Sequence, residues 1–199
     1  MYIDLTLTVN EELPVYPNEP KPSIKQYAST EKEGWNEHLL TINSHCGTHI
    51  DAPWHMLSGA KKLKDFSIDK FIGECILFDV RGQKEINIDT SEVNKGDIVF
   101  LRTGHIEKRN QEDYFSSNPI VSSKLAEKLV EKKIKILGID SPSPDNSPYR
   151  IHQILLHNDV LILENLVNLE KITKNRFKVY VLPMKLENDG APCRVVAEV

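Results

Sequence analysis

The chain has 199 residues, 40% hydrophobic and 27% charged, with a net charge of −4. That length suits one domain, residues 1–199, with a sizeable core, and the slight acidity argues against nucleic-acid binding, which needs a basic stripe. No stretch approaches the ~18 apolar residues of a membrane span, and Cys46, Cys75 and Cys193 are too widely spaced for a disulfide framework or a cysteine zinc site.

Residues 1–5 lack the basic start and apolar stretch of an export signal, so the cytoplasm is the expected location. Tyr2 to Val9 alternates apolar and polar residues, which predicts a half-buried strand. Leu13 to Pro20 carries three prolines and reads as a loop. Residues 37–45 predict a strand that delivers His45. Further strands are expected at 74–80, 97–102, 135–140, 160–164, 177–185 and 194–199, most of them β-branched or leucine-rich runs. The clearest helix covers Ser122–Lys133, with Leu125, Leu129 and Val130 on one face and Ser122 or Ser123 as N-cap. A short helix over Tyr149–Leu156 follows Pro148. Many strands with few helices give a mixed, β-rich α+β domain around a largely β core.

The densest chemistry lies between Ser44 and Met56, where His45, His49, Asp51 and His55 fall within eleven residues. Imidazoles and a hard carboxylate are the groups that hold a divalent metal and move protons beside it. Gly47 and Pro53 make a helix unlikely there, so the stretch reads as a strand end entering a tight loop. Thr48 can hydrogen-bond a neighbouring carboxylate. Other ligands must come from elsewhere, and the best distant candidates are His152, on the short helix, and Glu164, ending an apolar run that places it at a sheet edge facing solvent or a cleft. Cys46 reads as a small buried thiol, and His38 and His157 as surface groups. Asp140 either orders the site or forms a turn before Ser141-Pro142.

The run His45-x-Gly-Thr-His49-x-Asp51-x-Pro53-x-His55 resembles the signature of the metal-dependent cyclase-like hydrolases, which include bacterial kynurenine formamidase and isatin hydrolase. Supporting blocks are Ile3–Thr6, Pro14–Pro17, Leu101–Gly104, Gly138–Ser143 and the His152 to Glu164 segment. The resemblance spans the whole chain. It implies a swivelling β/β/α-type fold, assembled as a homodimer or higher homo-oligomer. It also implies that His45, His49 and Asp51 bind a first metal, that Asp51 bridges to a second held by His152 and Glu164, and that His55 is the unligated acid–base. Two Zn²⁺ per subunit suit the nitrogen-rich set, with Mn²⁺ the alternative because two carboxylates harden it.

The expected reaction is hydrolysis of a carbon–nitrogen bond in a small amide, N-formylkynurenine being the leading substrate. A bound metal lowers the pKa of its water to roughly 7, and hydroxide held at His45, His49 and Asp51 attacks the carbonyl while His55 carries the proton. Two positions depart from the formamidase pattern. Tyr16 stands where a tryptophan meets the aromatic substrate, and His105 follows the Arg-Thr-Gly block where tryptophan is frequent. Tyr16, Trp54 and His105 are the candidate substrate-binding residues. Rival readings are a lactam or lactone ring-opening hydrolase of the isatin type and a non-catalytic metal-binding protein; an unligated base such as His55 argues against the latter.

Overall fold

The computed structural model describes residues 1–199. In chain order it contains β1 (Tyr2–Asp4), β2 (Ser23–Ala28), β3 (Glu37–Thr41), β4 (His49–Asp51), β5 (Ile72–Asp79), β6 (Glu85–Ile86), β7 (Ile98–Arg102) and β8 (Ile120–Val121). There follow α1 (Ser123–Glu131), β9 (Ile136–Ile139), α2 (Arg150–Leu156), β10 (Leu161–Glu164), β11 (Arg176–Pro183) and β12 (Gly190–Glu198). The main sheet runs β1-β12-β11-β5-β7-β9-β10-β4, and β4 returns to pair with the start of β12. Seven strands therefore close on themselves, and β1 extends the outer edge of β12. The architecture is the expected mixed, β-rich α+β arrangement.

Period-two alternation sorts side chains between two apolar layers. Leu161 and Leu163 of β10, Ile98 and Phe100 of β7, and Val179 and Val181 of β11 fill the barrel interior. Their neighbours Ile162, Val99 and Leu101 point outward beneath α1 and α2. Burial on both faces is why β7, β9 and β10, which pair in parallel, read as unbroken apolar runs. Helix α1 begins as the sequence predicts: the Ser122 hydroxyl accepts from the Leu125 backbone N–H at 3.1 Å, and Leu125, Ala126 and Leu129 are its buried face.

Gly138 faces the barrel interior, where an added Cβ would lie 2.5 Å from Cδ1 of the fully buried Phe100 ring. Gly138→Ala is therefore expected to destabilise the fold by about 1–3 kcal/mol through overpacking. A lowered urea midpoint would show it; an unchanged midpoint would mean the Phe100 ring has room to shift.

Several boundaries differ from the sequence expectation, each for a local reason. The strand expected over Tyr2–Val9 ends at Asp4 because the Thr6 hydroxyl takes over the pairing with β12, accepting from Val195 N–H at 2.8 Å and donating to Val195 O at 3.3 Å. The strand expected over 37–45 stops at Thr41 and belongs to an exposed two-stranded hairpin with β2, so His45 arrives on a turn. The hairpin hides almost nothing, and β2 has no alternation of burial to betray it. The stretch taken as a loop after Gly47 contains β4, a three-residue strand that both its neighbours pair. Finally, β12 starts at Gly190 rather than Arg194.

Candidate metal centre

The centre is assembled on β4. Gly47 adopts the left-handed region (φ 65°), turning the chain into β4, where His49 and Asp51 share a face and Ile50 points into the barrel. Antiparallel register places Glu164 of β10 directly opposite His49. Glu164 is thus 5% exposed on an interior strand, facing the cleft rather than lying on a sheet edge. His152 reaches the same place from α2, which packs on β10. The chain then forms a single 3-10 turn over Pro53–His55, bringing His55 above the cluster. Thr48 does not bind a carboxylate as expected; its hydroxyl donates to Asn165 O at 2.7 Å and accepts from Leu7 N–H at 2.8 Å, tying the amino-terminal segment to the end of β10.

His49 Nδ1–H donates to Gly47 O at 2.9 Å, which turns Nε2 toward Asp51 Oδ1 at 3.4 Å and Glu164 Oε2 at 3.3 Å. His152 Nδ1–H donates to Asp145 Oδ1 at 2.6 Å, which leaves Nε2 3.7 Å from Asp51 Oδ2 and 3.5 Å from Glu164 Oε1. His45 Nδ1 lies 2.8 Å from Asp51 Oδ1, while its Nε2 meets Asp189 Oδ2 at 2.9 Å. Neutral imidazoles so oriented aim lone pairs at carboxylate oxygens, and only a proton or a cation reconciles two acceptors. Asp51 Oδ1, Asp51 Oδ2 and Glu164 Oε1 are buried without a hydrogen-bond partner. Uncompensated buried charge costs several kcal/mol per ion, so these atoms fit a divalent cation held by nitrogen and oxygen donors.

Burial pushes the Asp51 carboxyl up, but the imidazoles of His45 and His49 outweigh it and hold it well below the usual range. Burial opposes protonation of His45, yet the Asp51 carboxylate beside it raises the ring to about 10. His55 moves the other way: burial lowers it, which favours the neutral base. The potential ligand atoms form two groups sharing Asp51, one of His49, Asp51 and Glu164 and the other of His45, Asp51 and His55. Distance alone therefore does not separate His55 from the residues expected as ligands.

A cavity of about 290 Å³ opens above the cluster, walled by Tyr16, Met56, Phe115, Tyr149 and Asn165. The Tyr16 and Tyr149 hydroxyls are 3.4 Å apart across its mouth, and Tyr16 meets the Phe115 ring edge-on at 5.6 Å. Of the three expected substrate-binding residues only Tyr16 lies on this wall. Trp54 turns outward, 37% exposed, with Lys62 Nζ 4.2 Å above its ring. His105 is buried elsewhere, donating from Nε2–H to Tyr114 O at 2.8 Å and stacking on the Tyr114 ring. It reaches the cavity only indirectly, through the Tyr114 hydroxyl, which donates to Asn165 Oδ1 at 2.7 Å. Asp140 is a turn anchor, accepting from Thr103 N–H and Oγ1–H and from Gly104 N–H.

Asp145, Asp189, Phe115 and Tyr149 touch the centre or its cavity without having been foreseen as site residues. Asp145 sits in a proline-rich stretch with no periodicity, and Asp189 precedes a glycine, where a turn is the default reading.

The sequence profile of the Cyclase family matches residues 3–146. Kynurenine formamidase of Bacillus anthracis is 30% identical, covering 98% of this chain and 96% of that protein. A predicted metal-dependent hydrolase from Bacillus stearothermophilus superposes with a TM-score of 0.84 at 27% identity, over 99% of this chain and 97% of that one. Isatin hydrolase A from Labrenzia aggregata, bound to benzyl benzoate, superposes with a TM-score of 0.89 at 22% identity, over 99% and 93%, a likeness of fold.

Proposed function

Since the chain belongs to the cyclase-like metal-dependent hydrolase family, we propose that it is an arylformamidase, releasing formate from an N-formylkynurenine-like aryl amide. The observation that carries this reading is the set of partnerless carboxylate oxygens facing imidazoles at the floor of an aromatic-walled cavity. The end-to-end relation to proteins named kynurenine formamidase supports the choice of substrate. Three imidazoles and two carboxylates suit two zinc ions per subunit, with His45, His49, Asp51, His152 and Glu164 as ligands. Three free thiols suit the reducing cytoplasm. Exposed Tyr27, Trp35, Leu39 and Leu40 on and around the β2–β3 hairpin support assembly as a homodimer.

A divalent ion supplies Lewis acidity to an attacking water and to the substrate carbonyl. The chain's own residues do the rest. Tyr16, Phe115 and Tyr149 flank the substrate ring and orient the formyl carbon over the cluster. His55 takes a proton from the water as its oxygen bonds to that carbon. The carbon–nitrogen bond then breaks, and His55 returns the proton to the departing aryl amine. Water is consumed and free amine and formic acid leave, the acid ionising to formate and a proton, so the balance needs no further reactant.

The test is turnover by the zinc- or manganese-loaded protein on N-formylkynurenine, isatin and a small lactone. The formyl amide is expected to react with kcat/KM of about 10⁴ M⁻¹s⁻¹ or more, within the ordinary enzyme range. Faster opening of isatin or the lactone would replace this reading with ring-opening hydrolysis. Metal bound without turnover on any of them would leave a non-catalytic metal-binding protein.

Asp145 provides a check on ligation by His152. Its carboxylate also accepts from Ile151 N–H at 2.6 Å and so spans the start of α2. Asp145→Asn is expected to weaken metal affinity about 10- to 100-fold, the usual effect of removing a carboxylate behind a ligating imidazole. Competition titration against a chelating dye measures it. Unchanged affinity would remove His152 from the ligand set.

A further inference from the structure

We propose that Asp189 is a positioning residue that sets the ring tautomers of both His45 and His55, fixing one as ligand and the other as base. The inference rests on the hydrolase reading above for those two roles. Asp189 lies on the bend immediately before β12, 144 positions away from His45.

The backbone at Asp189 is held from both sides. Its carbonyl accepts from Ala52 N–H at 2.7 Å, and the next residue, Gly190, sits in register with Asp51. A Cβ on Gly190 would lie 3.0 Å from both His45 Cε1 and Ile50 O, so only glycine lets this strand come so close. The approach puts Asp189 Oδ2 2.9 Å from His45 Nε2 and 3.5 Å from His55 Nδ1. The two rings lie beside each other with centroids 4.1 Å apart. Asp189 is one of two carboxylates within reach of both rings, Asp51 being the other.

An ionised carboxylate only accepts hydrogen bonds. Facing His45 Nε2, it requires the proton there and frees the Nδ1 lone pair, which points at Asp51 Oδ1. Facing His55 Nδ1, it favours the proton on that atom and frees Nε2 to receive one from water. The partner of one ring nitrogen decides what the other can do. A single side chain thereby assigns complementary tasks to two adjacent imidazoles.

The test compares the zinc-loaded wild-type protein with Asp189→Ala and Asp189→Asn. Long-range ¹⁵N–¹H correlation spectra of the imidazoles report which nitrogen carries the proton, independently of turnover. Wild type is expected to show His45 protonated at Nε2 and His55 at Nδ1. In Asp189→Ala the His55 proton is expected to redistribute toward Nε2, with kcat at saturating zinc falling about 10- to 100-fold and KM within about twofold. Asp189→Asn keeps the shape and one acceptor oxygen, so it should fold even if the alanine variant does not, and its kcat is expected to fall between the other two.

Unchanged tautomers in the foldable variants, or kcat within about twofold of wild type, would overturn the proposal. If the wild type hydrolyses none of the substrates but its tautomers still follow residue 189, the positioning role stands and the hydrolase reading fails. If it hydrolyses them and the tautomers do not move, only the positioning role fails.

Discussion

Replacing His55 by alanine is expected to lower kcat by about 10²- to 10⁴-fold, the usual contribution of a positioned acid–base, with metal content near wild type. The size follows from the reaction. An aryl amine leaves poorly unless protonated, and no other imidazole is free to deliver the proton. His45, His49 and His152 each have a ring nitrogen within 3.5 Å of Asp51 or Glu164 and the other engaged by a hydrogen bond. His55 alone lacks a hydrogen-bond partner closer than the 3.5 Å approach of Asp189. Burial also disfavours its charged form, so it enters the reaction able to accept a proton. Metal analysis of the purified variant decides the matter. If metal is lost together with activity, His55 belongs with His45 and Asp51 as a ligand, an arrangement the ligand-atom distances also permit.

Asp51→Asn is expected to be more severe, abolishing both metal binding and turnover. Asp51 is 1% exposed and belongs to both groups of potential ligands, with both of its carboxylate oxygens lacking a hydrogen-bond partner. The amide removes the charge and replaces one donor oxygen with an NH₂ group that cannot ligate. The effect should appear in stability as well. Metal at 100 times its dissociation constant stabilises a native state by about 2.7 kcal/mol. For a chain of this length each kcal/mol moves the melting midpoint by about 2–4 °C. Chelation of wild-type protein is therefore expected to lower its midpoint by about 5–10 °C for each ion removed, and added zinc should not move that of Asp51→Asn. A zinc-dependent rise persisting in the variant would mean the ion sits elsewhere.

The parts of the fold legible in the sequence are those governed by near neighbours. Strand periodicity marked β5, β7, β9 and β10 to within about two residues, because their apolar runs are buried on both faces. A serine cap and a 3.6-residue stripe located α1. Elements with little burial of their own escaped: the β2–β3 hairpin is almost wholly exposed, and the three residues of β4 are a strand only because two distant strands flank them.

The candidate centre divides along the same line. Four of its groups lie within eleven residues, so their identity and spacing alone determined that a histidine- and carboxylate-rich cluster forms around Gly47 and Pro53. Tertiary structure decided the rest. Register set Glu164 opposite His49, barrel closure brought Asp189 within reach of both His45 and His55, and the docking of α2 aimed His152 at Asp51 while Asp145 held it. It also turned Trp54 and His105 away and put Phe115 and Tyr149 on the cavity wall. Local propensity acts over a turn or two of chain, whereas strand register and closure depend on which remote apolar faces bury one another, and no single segment carries that information.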